Sequence, residues 1–160
     1  MARRQKRYWL MKSEPSAYSI DDLERDGKTY WDGVRNYQAR NFMRDEMKIG
    51  DKVIFYHSNT EPPSAVGIAE VVKESYPDFS AFDPSDKHFD PKSKEEKPTW
   101  FMVDIKFVKK FKNIVPLQAM KENPKLQEMK LVQRGNRLSV MPITKEEFDE
   151  IVKMSKQPAK

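Results

Sequence analysis

A chain of 160 residues with three Trp, six Tyr and nine Phe has the length of one domain and enough apolar mass for one core, which excludes a disordered polymer. A formal charge of +5 and a pI near 9.2 suit a polyanionic partner. The absence of cysteine excludes disulfides, zinc–thiolate centres, iron–sulfur clusters and a thiol nucleophile, and agrees with a reducing, intracellular setting.

Residues 1–6 read as a basic arm ahead of a single domain at 7–155, with 156–160 as a tail. The arm has no apolar run fit for a secretory signal, and no stretch of the chain approaches a membrane span. The expectation is a cytoplasmic protein, or a nuclear one in a nucleated cell, where Arg3–Arg7 would serve as an address or a phosphate-binding arm.

Arg7–Lys12 is aromatic and apolar enough for a first strand. Ser19 and Asp22 then predict a capped short helix that Gly27 ends. After the Trp31–Val34 loop, Asn36 stands where an N-cap belongs, for a helix running to about Met47 with Ala39, Phe42, Met43 and Met47 on its inner side. Gly50-Asp51 turns the chain into a buried strand at Lys52–His57, and Ala65–Lys73 predicts the next, Gly67 marking a bulge or a close backbone approach. Residues 78–98, with Pro84, Pro91, Pro98 and many charges, read as an exposed loop. Trp100–Phe111 alternates, Phe101, Val103, Ile105 and Phe107 pointing one way and Met102, Asp104 and Lys106 the other. Short helical turns are expected at Pro116–Met120 and Pro124–Met129. The pair Thr144/Glu147 predicts a capping box, with Ile143 and Phe148 as a hydrophobic staple and Phe148, Ile151 and Val152 docking a last helix. The sum is an α+β domain whose mostly antiparallel strands curl into a small barrel with helices over its ends.

The segment Trp31–Met43 (WDGVRNYQARNFM) packs planar rings, guanidinium forks and carboxamides around a Gly turn, the equipment needed to hold a nucleobase out of its stack. Trp31 would stack on the base, against the ordinary alternative of a core Trp. Val34 would line the same wall, and Gly33 would admit a close backbone approach. Asn36 and Asn41 offer groups that donate and accept at a base edge; capping alone would also explain Asn36. Arg35 and Arg40 would fork onto phosphate, or else belong to a solvated helix face. Lys12 and Ser13, at the end of the first strand, would meet a phosphate and a base or backbone oxygen, and Glu14 an exocyclic amine, unless the block Lys12–Pro15 is only a turn. Tyr56 is a candidate second stacking wall and Ser58 a hydroxyl beside it. Ser139 and Met141 would close the far side, and Arg137 in the Arg134–Arg137 turn would touch phosphate. His57 and His88 are the two histidines, and with no Cys they do not predict a metal site.

The blocks YWLMKSEP, WDGVRNYQARNFMRDEMKIGDKVIFYHSN and GIAEVVKESYPD, in this order and spacing, resemble the EVE domain family from about Tyr8 to the last helix. The resemblance implies a PUA-like fold, a mixed, mostly antiparallel pseudo-barrel flanked by short helices and related to modules that read RNA and modified DNA. It also implies binding of modified bases, notably 5-substituted cytosines in DNA.

No GxSxG, P-loop, GxGxxG or HExxH is present, and a zinc deaminase is impossible without Cys. Glu14 and Asp32 are the acids that a glycosylase or nuclease could use. The expectation is therefore a monomeric reader of nucleic acid without cofactor, metal or membrane partner, holding a flipped modified base. Three alternatives stay open: an RNA-binding module for a modified nucleotide or structured RNA, an enzyme acting on modified bases, and a protein-interaction domain using 78–98.

Overall fold

The computed structural model describes residues 6–133 and 138–157. Two near-continuous apolar runs form its centre. Trp9, Leu10 and Met11 in β1 (Tyr8–Ser13) and Val53, Ile54 and Phe55 in β3 (Lys52–His57) are fully buried, as strands covered on both faces require. These two strands are parallel neighbours, with Lys12 beside Tyr56 and Ser13 beside His57. Around them lie β2 (Lys28–Tyr30), β4 (Ser64–Pro77), β5 (Phe101–Pro116) and β6 (Val140–Ile143), giving one sheet of order β2-β5-β4-β3-β1-β6. Every other pairing is antiparallel. The sheet ends at a three-residue strand and at a strand holding Pro142, two devices that blunt an edge.

Strands β4 and β5 are longer than the sequence suggests, and their register shifts repeatedly along the pair. Such irregularities bend and twist a strand, but among the described residues β2 and β6 do not pair with each other, so the sheet is open where a small barrel was expected. Gly67 lies at one of them: a Cβ there would stand 2.6 Å from the Lys109 carbonyl oxygen and 2.7 Å from Ile20 Cδ1. The expected close approach is real. Met102, expected to face out, is fully buried like Val103, because this part of β5 is covered on both sides.

Helix α1 (Ile20–Asp26) starts with the reciprocal Ser19/Asp22 box and ends at Gly27, whose φ of 80° suits glycine. Helix α2 (Tyr37–Asn41) begins at the Asn36 cap. Beyond Asn41 it departs from the expected α-helix: the turn Phe42–Glu46 is wide, and the Met47 N–H reaches the Phe42 carbonyl five residues back at 2.9 Å. Ala39, Met43 and Met47 are buried as the spacing predicts. Helix α3 (Leu117–Glu122) and 3₁₀ turns at Pro124–Leu126 and Lys130–Val132 follow β5. Helix α4 (Lys145–Ser155) carries the Thr144/Glu147 box and buries Phe148 and Ile151.

Residues 78–98 correct the exposed-loop expectation. Asp78, Ser80, Ala81 and Ser93 are buried, and a 3₁₀ turn covers Phe79–Phe82. Asp78, Asp83, Asp86 and Asp90 each accept from the backbone N–H two residues on, at 2.8 to 3.0 Å. Four such side-chain turns shape a segment that has almost no ladder of its own.

Candidate functional site

Because β1 and β3 run parallel, their C-terminal ends emerge on the same side. Ser58 N–H donates to the Ser13 carbonyl at 2.9 Å, and Lys12 N–H to the Ser139 carbonyl at 2.8 Å. These bonds assemble Lys12, Ser13, Ser58 and Ser139 into the floor of a cavity of about 1220 Å³. The segment leaving β2, from Tyr30 to Asn36, forms one wall, and Ser85–His88 forms another.

Trp31 is anchored by its N–H to the Val103 carbonyl (2.8 Å) and packs edge-to-face on Phe55, with centroids 5.5 Å apart at 85°. It is only 8% exposed, yet it borders the cavity. It is thus a core residue, as the ordinary alternative had it, that also borders the cavity. Val34 also lines the cavity. Asn36 does so while its Oδ1 accepts from the Ala39 N–H (3.0 Å), leaving its amide nitrogen without a partner among the described residues. The Ser13 hydroxyl donates to the Tyr18 carbonyl at 2.6 Å and keeps its lone pairs.

Lys12 is half-buried at the strand end and has no ion pair among the described residues. Burial lowers its pKa, the sign that its ammonium lacks a compensating anion.

The two walls are tied by a buried carboxylate. Asp78 Oδ2 accepts from Gly33 N–H (2.8 Å) and from Arg35 Nη1 (3.0 Å), and Oδ1 accepts from Ser80 N–H and Oγ–H (2.8 and 2.6 Å). Burial pushes this carboxyl up, but the bonds from Ser80, Gly33 and Arg35 prevail and hold it below the usual range. Arg35 also donates to the His88 carbonyl (2.6 and 3.1 Å), the Val34 carbonyl (3.0 Å) and Ser80 Oγ (3.3 Å), and lies over Trp100 at 5.2 Å. The His88 ring in turn rests on Gly33, where a Cβ would come within 2.5 Å of it. Asp32 lines the cavity with its pKa raised by burial and by the charge of Asp78. Asp32, Asp86 and His88 bring oxygen and nitrogen donors within 4.8 Å of one another, a grouping that the sequence did not disclose. Asp86 Oδ1 already accepts from the His88 N–H at 2.8 Å and lies 3.3 Å from His88 Nδ1.

Several expected site residues lie elsewhere. Tyr56 is 2% exposed inside β3, where burial pushes its pKa up to about 12; a strand flanked on both edges and covered on both faces cannot turn that ring outward. Met141 is fully buried in β6 opposite Leu10. The Asn41 Oδ1 accepts both Nε and Nη2 of Arg40, whose Nη1 donates to the Thr99 carbonyl at 2.8 Å. Neither Asn41 nor Arg40 borders the cavity. Arg35 borders it, but its guanidinium is a clamp between walls rather than a free phosphate fork. His57 Nε2 accepts the Ile20 N–H at 3.1 Å, so the ring is neutral, and burial lowers its pKa. Arg137 lies outside the described residues.

Among the lining residues that sequence reasoning missed are Tyr18, Asp26, Lys28, Tyr30, Leu138 and the Ser85–His88 wall. The recurrent pattern of Asp two places before a backbone donor was the available signal for an ordered wall.

The EVE domain family model matches residues 7–154. Thymocyte nuclear protein 1 of Mus musculus is 46% identical over 166 residues, covering 92% of this chain and 73% of that protein. The crystal structure of human THYN1 protein in complex with 5-methylcytosine containing DNA is 42% identical with a TM-score of 0.89, over 95% of this chain and 99% of that one. A YTH domain from Zygosaccharomyces rouxii shares the fold at 15% identity, with a TM-score of 0.53 over 99% of this chain and 92% of that chain. Among the described residues no helix is long and apolar enough to cross a membrane.

Proposed function

The chain belongs to the EVE domain family, and from that premise we propose that it is a nucleic-acid reader which holds a flipped, 5-substituted cytosine of DNA in the cavity beside Trp31. One observation carries the reading. A cavity large enough for a nucleoside joins an immobilised indole, the free amide of Asn36, the hydroxyls of Ser13 and Ser139, and an uncompensated ammonium at Lys12. The ring borders a flat heterocycle, the amide and hydroxyls address its edge, and Lys12 takes an anionic or carbonyl oxygen. Extruding a base costs a few kcal/mol, and a stacking contact returns about 1–3 kcal/mol. The human relative solved with 5-methylcytosine containing DNA supports this choice of ligand.

Binding rather than turnover fits the contacts. Among the described residues the Ser13 hydroxyl donates to a backbone carbonyl, His57 accepts a backbone N–H, and His88 is engaged by Asp86, so none of these three is paired as a nucleophile with its general base. Its short or proline-bearing edge strands suit a monomer. In a nucleated cell it would work in the nucleus, and elsewhere in the cytoplasm.

The test is a titration of matched oligonucleotides at physiological salt, with 5-methylcytosine, unmodified cytosine, and an RNA competitor. Tighter binding of the methylated DNA is expected, with Trp31→Ala weakening it on the order of tenfold to a hundredfold while circular dichroism reports an intact fold. Equal affinities that ignore Trp31→Ala, or an RNA preference that outlasts the methylated competitor, would defeat the reading.

A further inference from the structure

Two large aromatic rings stand in solvent, Tyr30 lining the cavity and Phe79 packed against Tyr30 on the outside. Tyr30 is 47% exposed and Phe79 49% exposed, and they meet edge-on with centroids 4.9 Å apart. Tyr30 ends β2 and itself lines the cavity, one residue before Trp31. Phe79 follows Asp78, the carboxylate that ties the two walls together. Both rings are therefore carried by backbone that the core fixes, although neither is itself buried. Exposed aromatics on rigid supports are poor for solubility and well suited to stacking.

Ammonium groups without an ion pair stand near them. Among the described residues that line the cavity, Lys12, Lys28 and Lys87 have no ion-pair partner. Asp26 is held by Arg25 and Tyr18, and Asp86 by His88. The lining acids that meet no Lys or Arg are Glu14, Asp32 and Asp86, and the pKa of Asp32 is raised by burial and the neighbouring Asp78 charge. Aromatic rings interleaved with free ammonium groups match a strand of bases on a phosphate backbone. An apolar peptide partner would leave these cations without an anion, whereas a phosphate backbone supplies one.

Resting on the reading above, we propose that Tyr30 and Phe79 form a ledge that stacks the nucleobase next to the one held in the cavity. Extrusion of a base leaves its neighbour with one bare face, and the ledge covers that face. Sequence-independent stacking of this kind adds affinity without altering which modified base is read.

The experiment uses the full chain and two single-stranded oligonucleotides around one 5-methylcytosine, one with ordinary flanking nucleotides and one whose flanking positions lack bases. For the wild type, removing the flanking bases is expected to weaken binding on the order of tenfold to a hundredfold. Tyr30→Ala/Phe79→Ala should bind both oligonucleotides alike, at the weaker level. Tyr30→Trp/Phe79→Trp should restore the sensitivity, and thermal unfolding confirms that each variant is folded. Equal sensitivity in wild type and double alanine variant overturns the ledge. Trp31→Ala separates the two claims. If it changes nothing and methylation is ignored, the cavity reading fails; a persisting response to flanking bases that needs Tyr30 and Phe79 still upholds the ledge.

Discussion

Asn36 does two things with one side chain. Its oxygen caps α2 through the Ala39 N–H, and its nitrogen is free at the cavity. The sequence posed these as rivals because a cap uses only the acceptor end of an amide, and a linear reading cannot tell which way the other end points. Asn36→Ser separates them. Serine caps about as well, so the unfolding free energy should stay within about 0.5 kcal/mol of wild type, while affinity for methylated DNA falls by roughly tenfold through the lost donor. A variant that binds as wild type would remove Asn36 from the reading surface. Tyr56 and Met141 show the opposite failure. Their positions at strand ends invited a cavity role, but burial from both faces is set by neighbours distant in sequence, which periodicity does not contain.

At the scale of elements, what is local was legible. Both capping boxes, the Asn36 cap, the Gly27 stop and the bulge at Gly67 follow from a few adjacent residues. The segment 78–98 was not, since its anchor is a bond from Asp78 to Gly33 and Arg35, more than forty residues back. Charge and proline content signalled solvent, and long-range pairing overrode them. Asp78→Ala should leave Arg35 partly buried without its anion and cost about 3–5 kcal/mol. Limited proteolysis should then cut within 83–98 before the rest of the fold is lost. A variant as resistant as wild type would mean that the four side-chain turns hold this wall alone.

The whole molecule is read through its stability against pH. His57, at the end of β3, accepts the first helical N–H of α1, so a neutral imidazole couples helix to sheet. Burial holds its folded pKa below the ordinary 6.5. The unfolded chain therefore takes the proton first, and the stabilisation is complete above about 6.5 and lost as pH falls from there through the folded pKa. Thermal unfolding of wild type and His57→Gln between pH 8 and 5 cancels the other titrating groups in the difference. The wild type's margin should shrink below pH 6.5; a constant difference would show that His57 takes up its proton equally in the folded and unfolded chains.

The shared exit of β1 and β3 has a consequence for how such a receptor can diversify. Lys12, Ser13 and Ser58 are set by two neighbouring strands inside the sheet, whereas the facing wall is drawn from a segment that shapes itself through its own aspartates. Foundation and façade are thus specified by separate stretches of sequence. New ligand preferences are reachable by rewriting Ser85 and Lys87, which line the cavity, while the strand ends that form its floor are inherited unchanged.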